Sequence, residues 1–315
     1  MTNPKFNFIL IKKSFSHLYI LMRAMQTTLS RYLSLVKFSH TVFALPFALT
    51  GLTFGFRDVG TAGSLGYYAQ KLIFVLLCMV TARSAAMGFN RWADRHIDAA
   101  NARTAIREIP AGLVGANAAL WFVVVNCIVF VVSTAFINRL CLYLSPVALA
   151  VVLGYSYTKR FTPLCHLVLG AGLALAPVGA YIAVTEQFHL GIVVLGLGVL
   201  CWTAGFDIIY ALQDEGFDRA QGLRSLPAWL GGARALGISR SLHLLSLAAL
   251  LAAGYLLGVG LLYAVGCSLF GFFLVYQHSL VKATDLSRVN LAFFTANGFA
   301  SVAFGVLAIA DVLLR

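Results

Sequence analysis

The feature of this sequence that most limits its possible folds is a series of apolar stretches, each about 20 residues long and nearly free of charge. An α-helix needs that length to cross a bilayer. Of the 315 residues, 60% are hydrophobic and 11% are charged, and a water-soluble domain could not bury that much apolar surface. We therefore predict an all-α, polytopic membrane protein with about nine transmembrane helices. The predicted spans are 35–56, 70–90, 114–136, 140–158, 163–185, 188–210, 236–257, 259–281 and 290–314.

Basic residues are concentrated in every second connection between these spans. Arg91 and Arg95 follow the second span, for example, and Lys159 and Arg160 follow the fourth. Loops rich in Lys and Arg stay on the cytoplasmic side, so we predict a multi-pass protein of a bacterial-type inner membrane with these loops in the cytoplasm. The net charge of +12 is explained by these loops over anionic lipids. No nucleic-acid-binding motif accompanies it, which excludes nucleic acid as a partner.

The chain divides at about residue 30. We interpret residues 1–30 as a basic, interfacial segment, because Lys12 and Lys13 interrupt any apolar core of a signal peptide. Residues 31–315 are expected to form one transmembrane domain. The six cysteines are scattered among the apolar spans without CxxC spacing, which favours small core residues over disulfides or metal ligands.

Acidic residues are clustered rather than spread over the loops. Seven of the eleven fall in two windows, 94–108 and 207–218, each at the cytoplasmic end of a predicted span. An acidic side chain drawn into a bilayer costs at least about 2.5–3.5 kcal/mol, and like charges four residues apart on a helix repel. We therefore expect a cationic partner to offset that cost in both windows.

Helical geometry places the acids of each window on one face. At 100° per residue, Asn90, Asp94 and Asp98 lie in one stripe with Arg83 deeper in the same span. The second window repeats the pattern with Asp207, Asp214 and Asp218 in line, and each DxxxD pair is followed by an RxxPA tail. Carboxylates of this kind suit Mg²⁺ shared with substrate phosphates, and Arg and Lys side chains suit the phosphates themselves. The ligand indicated is a diphosphate on a membrane-resident molecule.

These motifs resemble those of the UbiA superfamily of intramembrane prenyltransferases. "NRWADRHID" at 90–98 is similar to its NxxxDxxxD motif, and "DIIYALQDEGFD" at 207–218 to its YAxxD and DxxxD motif. "GYSYTKRFTPL" at 154–164 and "RTAIREIPAG" at 103–112 resemble its aromatic-Lys-Arg loop and its Arg-rich tail. The resemblance runs from about residue 32 to the C-terminus and is closest to the 4-hydroxybenzoate polyprenyltransferase-like group, which includes the futalosine-route menaquinone branch. Arg91 stands where many 4-hydroxybenzoate enzymes have Asp.

The resemblance implies a helical bundle around a central, lipid-accessible cavity that binds two Mg²⁺ ions. By this likeness, Asn90, Asp94 and Asp98 would hold one ion on the diphosphate, and Asp214 and Asp218 the other. The cations Lys159, Arg107, Arg160 and Arg224 would bind the departing diphosphate.

Five further side chains are candidates for contacts with the substrates. Tyr210 would line the prenyl pocket near the reacting carbon, together with Tyr155 and Tyr157. Asp207 would assist the acceptor. Arg83 is either a structural partner of Asp94 or the receptor of an acceptor carboxylate.

The predicted function is Mg²⁺-dependent transfer of a polyprenyl group from its diphosphate to a small aromatic acid in ubiquinone or menaquinone synthesis. The acceptor is left open between 4-hydroxybenzoate and 1,4-dihydroxy-6-naphthoate. A cation-coupled transporter is the alternative from another class, but transporter sites usually lie near the bilayer midplane. A CDP-alcohol phosphatidyltransferase shares the DxxxD pair, yet the preceding DGxxAR segment is missing here. The expected partners are polyprenyl diphosphate, the aromatic acid and membrane lipids.

Overall fold

A computed structural model describes residues 30–36, 43–60 and 64–315. Apart from one short helix at 30–35, the α-helices of these residues are α1 (Leu45–Val59), α2 (Leu65–Ala93), α3 (Arg95–Ala100), α4 (Ala116–Ala135), α5 (Arg139–Thr158), α6 (Cys165–Thr185), α7 (Leu190–Ala211), α8 (Glu215–Ala220), α9 (Leu226–Leu230), α10 (Gly232–Leu257), α11 (Leu261–Leu280) and α12 (Asn297–Leu313). A 3₁₀ turn at Leu212–Asp214 precedes α8, and a π-helical segment at Leu291–Ala296 precedes α12. No β-strand occurs in these ranges.

Eight stretches within the described ranges are long and apolar enough to cross a membrane. Seven of them match predicted spans to within about five residues at each end, and the stretch Leu190–Ala220 extends past the predicted end at 210, so the all-α, polytopic fold is confirmed. The first predicted span, 35–56, corresponds in part to α1, which has 15 residues and begins at Leu45. Residues 37–42 of that span, and residues 1–29 of the predicted interfacial segment, lie outside the described residues.

Helix α7 is the central element of the bundle. In the membrane-spanning stretch that contains it, 72% of the most apolar window is buried, compared with 11% for α5 at the periphery. Its glycines allow close approach: a Cβ built on Gly205 would lie 2.3 Å from the His243 ring of α10. Ser239 and Ser246 of α10 donate hydrogen bonds to the Gly205 and Gly198 carbonyl oxygens, each at 2.7 Å. Small residues and interhelical hydrogen bonds of this kind bring membrane helices together.

The two acidic windows interrupt their helices in the same way. Helix α2 ends at Ala93, and Asp94 (φ −91°, ψ 6°) is the N-cap residue of the six-residue α3. Asp214 (φ −104°, ψ 3°) is the N-cap residue of the six-residue α8. The backbone around Asp94 stays nearly helical, since the Asp94 and Asp98 amides still bond to the carbonyl oxygens four residues earlier. Each DxxxD pair therefore starts at the break that follows the C-terminal end of a long helix.

Candidate active site between the two acidic windows

A cavity of about 950 Å³ opens between the ends of α2, α5, α6 and α7. Asn90, Asp94 and Asp98 line it from one side, and Asp214 and Asp218 from the other. Arg83 and Met87 continue the first wall toward the bilayer interior, as the predicted helical stripe requires. Arg83 lies 11 residues before Asp94 on α2, about 16 Å deeper at 1.5 Å per residue.

Asp94 is buried and bonded to three side chains. Lys159 Nζ lies 3.1 Å from Oδ2, and Arg160 Nη2 lies 3.2 Å from Oδ1. Asn90 donates from Nδ2 to Oδ2 at 3.2 Å. Arg160 also donates to the Ala93 carbonyl oxygen at 2.7 Å, so the loop after α5 is fixed to the end of α2. The aromatic-Lys-Arg loop and the NxxxDxxxD motif therefore form one polar cluster.

Asp98 is also buried, and only one of its oxygens is satisfied. Arg107 Nη1 bonds to Oδ1 at 2.6 Å, whereas Oδ2 has no hydrogen-bond partner among the described residues. A nearby carboxylate, Glu108, accepts a hydrogen bond from Ser34 at 2.5 Å and likewise has one oxygen without a partner there. Buried carboxylate oxygens without donors are costly, and they indicate a ligand that would bind them.

Asp214 connects the two windows. Asn101 donates from Nδ2 to its Oδ1 at 3.0 Å, Arg103 donates from Nε to Oδ1 at 3.0 Å, and Arg103 Nη2 forms a second bond to Oδ2. Burial disfavours the charged guanidinium, but the hydrogen bonds and charge of Asp214 outweigh it and raise the pKa of Arg103. Arg103 also lies over the Tyr210 ring, 5.4 Å from its centroid.

Charge in the cavity is closely balanced. Its described lining contains six carboxylates and six Lys or Arg side chains. The carboxylates are Asp94, Asp98, Glu108, Asp207, Asp214 and Asp218, and the cations are Arg31, Arg83, Arg91, Arg103, Arg107 and Lys159. A diphosphate alone would add several negative charges, so a bound divalent cation would be needed to restore the balance.

The residues present fit Mg²⁺ in their chemistry. The donor set of both windows is oxygen only, and Asp98 Oδ2 is buried and unpaired. Among the described residues no three His, Cys, Asp or Glu side chains stand in the arrangement of a metal site, because Arg and Lys side chains lie between the carboxylates. A metal that also bound diphosphate would take over the oxygens that these cations now contact.

Aromatic side chains form the wall beside Asp214. The π-helical segment before α12 places Phe293 against Tyr210, with ring centroids 4.3 Å apart, and against Phe206 at 5.4 Å. All three rings line the cavity. Asn297 stabilises this local geometry by donating to the Phe293 carbonyl oxygen at 2.9 Å. Aromatic faces attract cations, so this wall suits a site where positive charge develops.

A second cavity of about 340 Å³ continues the first toward the opposite side of the membrane. Arg83, Met87, Tyr155, Leu169 and Leu173 line both. The remainder of the second lining is almost entirely apolar, comes from α1, α2, α4, α5 and α6, and reaches Phe188 beyond the far end of α6. The combined space has a charged end and an apolar end, as an amphiphilic substrate requires.

The family model for the UbiA prenyltransferase family matches residues 44–299, most of the chain. The chain belongs to the UbiA prenyltransferase family. It is 32% identical, over 237 residues, to a 4-hydroxybenzoate octaprenyltransferase of Saccharophagus degradans, covering 75% of this chain and 79% of that protein. A 4-hydroxybenzoate octaprenyltransferase of Francisella tularensis is 26% identical over 78% of this chain and 84% of its own length. The predictions of family and of an aromatic prenyltransferase are thereby confirmed, and the transporter alternative is set aside.

Solved UbiA structures share the fold. A UbiA homolog from Aeropyrum pernix K1 aligns with a TM-score of 0.73 and 30% identity, covering 87% of this chain and 97% of that one. A homolog from Archaeoglobus fulgidus, bound to DMAPP and Mg²⁺, aligns with a TM-score of 0.70 and 19% identity over 90% of this chain and all of that one. At 19% identity, the similarity to the Archaeoglobus fulgidus homolog concerns the fold alone.

Most of the predicted UbiA site residues meet at the cavity. Asn90, Asp94, Asp98, Asp214, Asp218, Lys159, Arg107, Tyr210, Asp207 and Arg83 line it. Arg160 reaches it through Asp94, whereas Arg224 is exposed and donates to the Phe161 carbonyl oxygen at 2.9 Å. Tyr155 lines the cavity, but Tyr157 is exposed and stacks on Arg160. No described acidic side chain pairs with Arg83, whose Nε is buried without a partner, so the structure gives no support to the predicted Arg83–Asp94 pair.

Two site residues were missed by sequence reasoning. Arg103, which bonds Asp214, lies in the quoted Arg-rich tail, so its motif was noticed but its partner could not be deduced. His166 lies at the start of α6, where its Nδ1 is 2.7 Å from Asp207 Oδ2. A polar histidine at the end of an apolar span was the available signal, because such a group needs a hydrogen-bonding partner.

Proposed function

We propose that this UbiA-family protein catalyses Mg²⁺-dependent transfer of a polyprenyl group from its diphosphate to a small, hydroxylated aromatic carboxylic acid. The observation that carries the proposal is the single cavity that joins two acid-and-arginine clusters to an apolar extension. Its supports are the relatives named as 4-hydroxybenzoate octaprenyltransferases and the fold shared with a homolog bound to DMAPP and Mg²⁺.

The diphosphate would bind at the charged end. Asn90, Asp94 and Asp98 would hold one Mg²⁺, and Asp214 and Asp218 the other. Bound Mg²⁺ supplies positive charge that stabilises the diphosphate as a leaving group. Lys159, Arg107 and Arg160 already lie on these carboxylates and are the nearest fixed cations for the phosphate oxygens. Arg103, freed from Asp214 when a metal takes that carboxylate, would join them.

The prenyl group would extend into the apolar cavity. Its reacting allylic carbon would then lie near Tyr210 and Phe293, whose ring faces stabilise developing positive charge. The apolar lining keeps water away from that carbon, so the acceptor ring and not water attacks it.

The acceptor would bind between the two ends. Arg83 carries the only fixed charge in the lining shared by the two cavities, and its Nε has no partner among the described residues. It would receive the acceptor carboxylate, since a guanidinium matches a carboxylate in shape and charge. An electron-rich ring held there would attack the allylic carbon, and loss of the ring proton would restore aromaticity.

The decisive experiment is a mass-spectrometric product assay with purified protein in lipid or detergent. It supplies a polyprenyl diphosphate, Mg²⁺ or EDTA, and a panel of aromatic acids that includes 4-hydroxybenzoate and 1,4-dihydroxy-6-naphthoate. We expect a Mg²⁺-dependent prenylated product from at least one acid, and the acid that is consumed identifies the branch of quinone synthesis. A folded protein that prenylates none of the acids would refute the proposal.

A further inference from the structure

A buried histidine, His166, pairs with the partly exposed Asp207, and the diphosphate chemistry uses neither of them. His166 is 3% exposed at the start of α6, and Asp207 lies on α7 two turns before Asp214 with 26% of its side chain exposed to the cavity. His166 Nδ1 and Asp207 Oδ2 are 2.7 Å apart. The contact joins α6 to α7 in the wall of the cavity, two turns of α7 before the second DxxxD pair.

The hydrogen-bond pattern fixes the roles of both nitrogens of His166. The backbone N–H of Leu226 donates to Nε2 at 3.3 Å, so Nε2 is the acceptor nitrogen of a neutral imidazole. Nδ1 then carries the proton and donates it in the hydrogen bond to Asp207 Oδ2. The imidazole is therefore held on both sides, by the first residue of α9 and by Asp207 of α7.

This arrangement leaves the other oxygen of Asp207 available. Oδ1 accepts no hydrogen bond from any described residue, and the carboxylate faces the cavity. One turn deeper on α7, the Thr203 hydroxyl lines the same space, is fully buried and has no partner in the described ranges. Polar groups left unpaired in a largely aromatic and apolar wall indicate a ligand that brings its own polar atom.

We propose that His166 is a positioning residue for the acceptor: it holds Asp207 through Oδ2 so that Oδ1 accepts a hydrogen bond from a ring hydroxyl of the aromatic acid. The inference rests on the proposed function and adds to it the requirement for a hydroxyl donor on the acceptor. A hydrogen bond from that hydroxyl to a carboxylate increases electron density in the ring, which favours attack on the allylic carbon. With Arg83 at the acceptor carboxylate, the two contacts would orient the ring from opposite ends.

Two substitutions separate this role from a purely structural one. His166→Asn places an amide N–H where Nδ1 stands and keeps the donor to Asp207. His166→Gln places its amide near the Nε2 position and keeps a partner for the Leu226 N–H, but it removes the donor to Asp207. Steady-state KM values for the acceptor and for the prenyl diphosphate, with thermal unfolding as a folding control, are the measurements.

We expect His166→Gln to raise the acceptor KM about 10-fold or more, whereas His166→Asn stays within about 3-fold of the unmodified protein. The KM for prenyl diphosphate should change less than about 2-fold in both variants. Equal effects of the two variants on the acceptor KM, or an effect confined to the prenyl diphosphate, would overturn the inference.

A substrate comparison gives a second, independent readout in case a variant is unstable. The accepted acid is compared with its O-methyl ether, which keeps an activated ring but cannot donate. We expect the unmodified protein to prefer the hydroxy acid by at least about 100-fold in kcat/KM, and His166→Gln to reduce that ratio. If the unmodified protein used the hydroxy acid and its O-methyl ether equally well, this inference would be overturned but the proposed function would stand. Failure to prenylate any acid would instead refute the proposed function and the inference together.

Discussion

At the scale of single residues, the DxxxD carboxylates are bonded to cations before any ligand is considered. Lys159 and Arg160 lie on Asp94, Arg107 lies on Asp98, and Arg103 lies on Asp214. These pairs give each carboxylate a cationic partner at the edge of the membrane, where an unpaired charge is costly. They also keep cations close to the place where a diphosphate would arrive. When metal and diphosphate bind, the carboxylates would thus exchange their Lys and Arg partners for metal, and these cations would turn to the phosphate oxygens.

Replacing one metal-binding carboxylate tests the role of the second acidic window. We expect Asp214→Asn to lower kcat/KM by at least about 100-fold and to raise the Mg²⁺ concentration for half-maximal activity, because a neutral amide is a poor ligand for Mg²⁺. The measurement is a Mg²⁺ titration of product formation. Asp285→Asn is the matched control, since Asp285 is outside the cavity lining and its side chain accepts a hydrogen bond from the backbone N–H of the nearby Ser287. Near-normal turnover of folded Asp214→Asn at saturating Mg²⁺ would contradict the two-metal site.

At the scale of elements, the site depends on how closely α6 and α7 approach. A Cβ built on Gly170 of α6 would lie 2.4 Å from the Leu200 carbonyl oxygen of α7. Gly172, two residues along the same helix, would place its Cβ in ordinary contact at 3.6 Å from a Val152 methyl group. The crossing matters for function because α6 carries His166, and α7 carries Asp207 and leads through the 3₁₀ turn to Asp214.

The two glycines provide a matched pair of substitutions. We expect Gly170→Ala to destabilise the protein by about 1–3 kcal/mol, because the added methyl group collides with backbone that cannot move alone. Gly172→Ala should be neutral or slightly stabilising, since Ala favours helix. Thermal unfolding of both variants in the same detergent checks the difference. Equal stability of the two would show that the helices can separate without cost.

The helical breaks are a second property of the elements. Both windows bend at the first aspartate of their DxxxD pair, and the π-helical segment before α12 places Phe293 beside Tyr210. Irregular backbone at membrane depth is tolerated where it lines a cavity and its polar groups find partners. Asn101 supplies one such partner, since its Oδ1 accepts a hydrogen bond from the Arg103 backbone N–H at 3.0 Å. The breaks therefore turn the carboxylates inward and leave the remaining helices free to face lipid.

At the scale of the whole molecule, the apolar cavity sets the space for the prenyl chain. Ala148 of α5 lines this cavity, whereas Ala150 on the same helix is exposed. We expect Ala148→Phe to fill part of the 340 Å³ and to raise the KM of long prenyl diphosphates at least about 10-fold, while a short one such as DMAPP is little affected. Ala150→Phe is the control and should change the KM of neither the long nor the short diphosphate. The measurement is a parallel assay with long and short diphosphates. Loss of activity with both substrates in Ala148→Phe would indicate general misfolding.

Membrane orientation is also a property of the whole molecule. We propose that the charged end of the cavity faces the cytoplasm, because Lys and Arg are concentrated in the loops around it. Arg224→Cys should then react with a membrane-impermeant maleimide only after cells are permeabilised, whereas Phe188→Cys, beyond the other end of α6, should react in intact cells. Labelling of the unmodified protein gives the background reaction of the maleimide with the six native cysteines. The reverse pattern would place the site on the outer face.

The sequence by itself determined the class of the molecule. Apolar stretches of bilayer length predict a helical membrane protein because lipid offers no hydrogen bonds to backbone, and eight of the predicted spans are found within the described ranges. The spacing of Asn90, Asp94 and Asp98 placed them on one helical face, and that local geometry holds in the structure. These features depend on the chain's own periodicity, so they are readable without the fold.

Only the tertiary structure decided which side chains meet. Arg103 and Asp214 are 111 residues apart in the chain, and His166 and Asp207 are 41 apart, so no local period could pair them. The placement of Arg224 outside the cavity lining and the Phe293 wall likewise follow from contacts between distant parts of the chain. Periodicity specifies the face that a helix turns inward, but contacts across a cavity depend on how the helices cross.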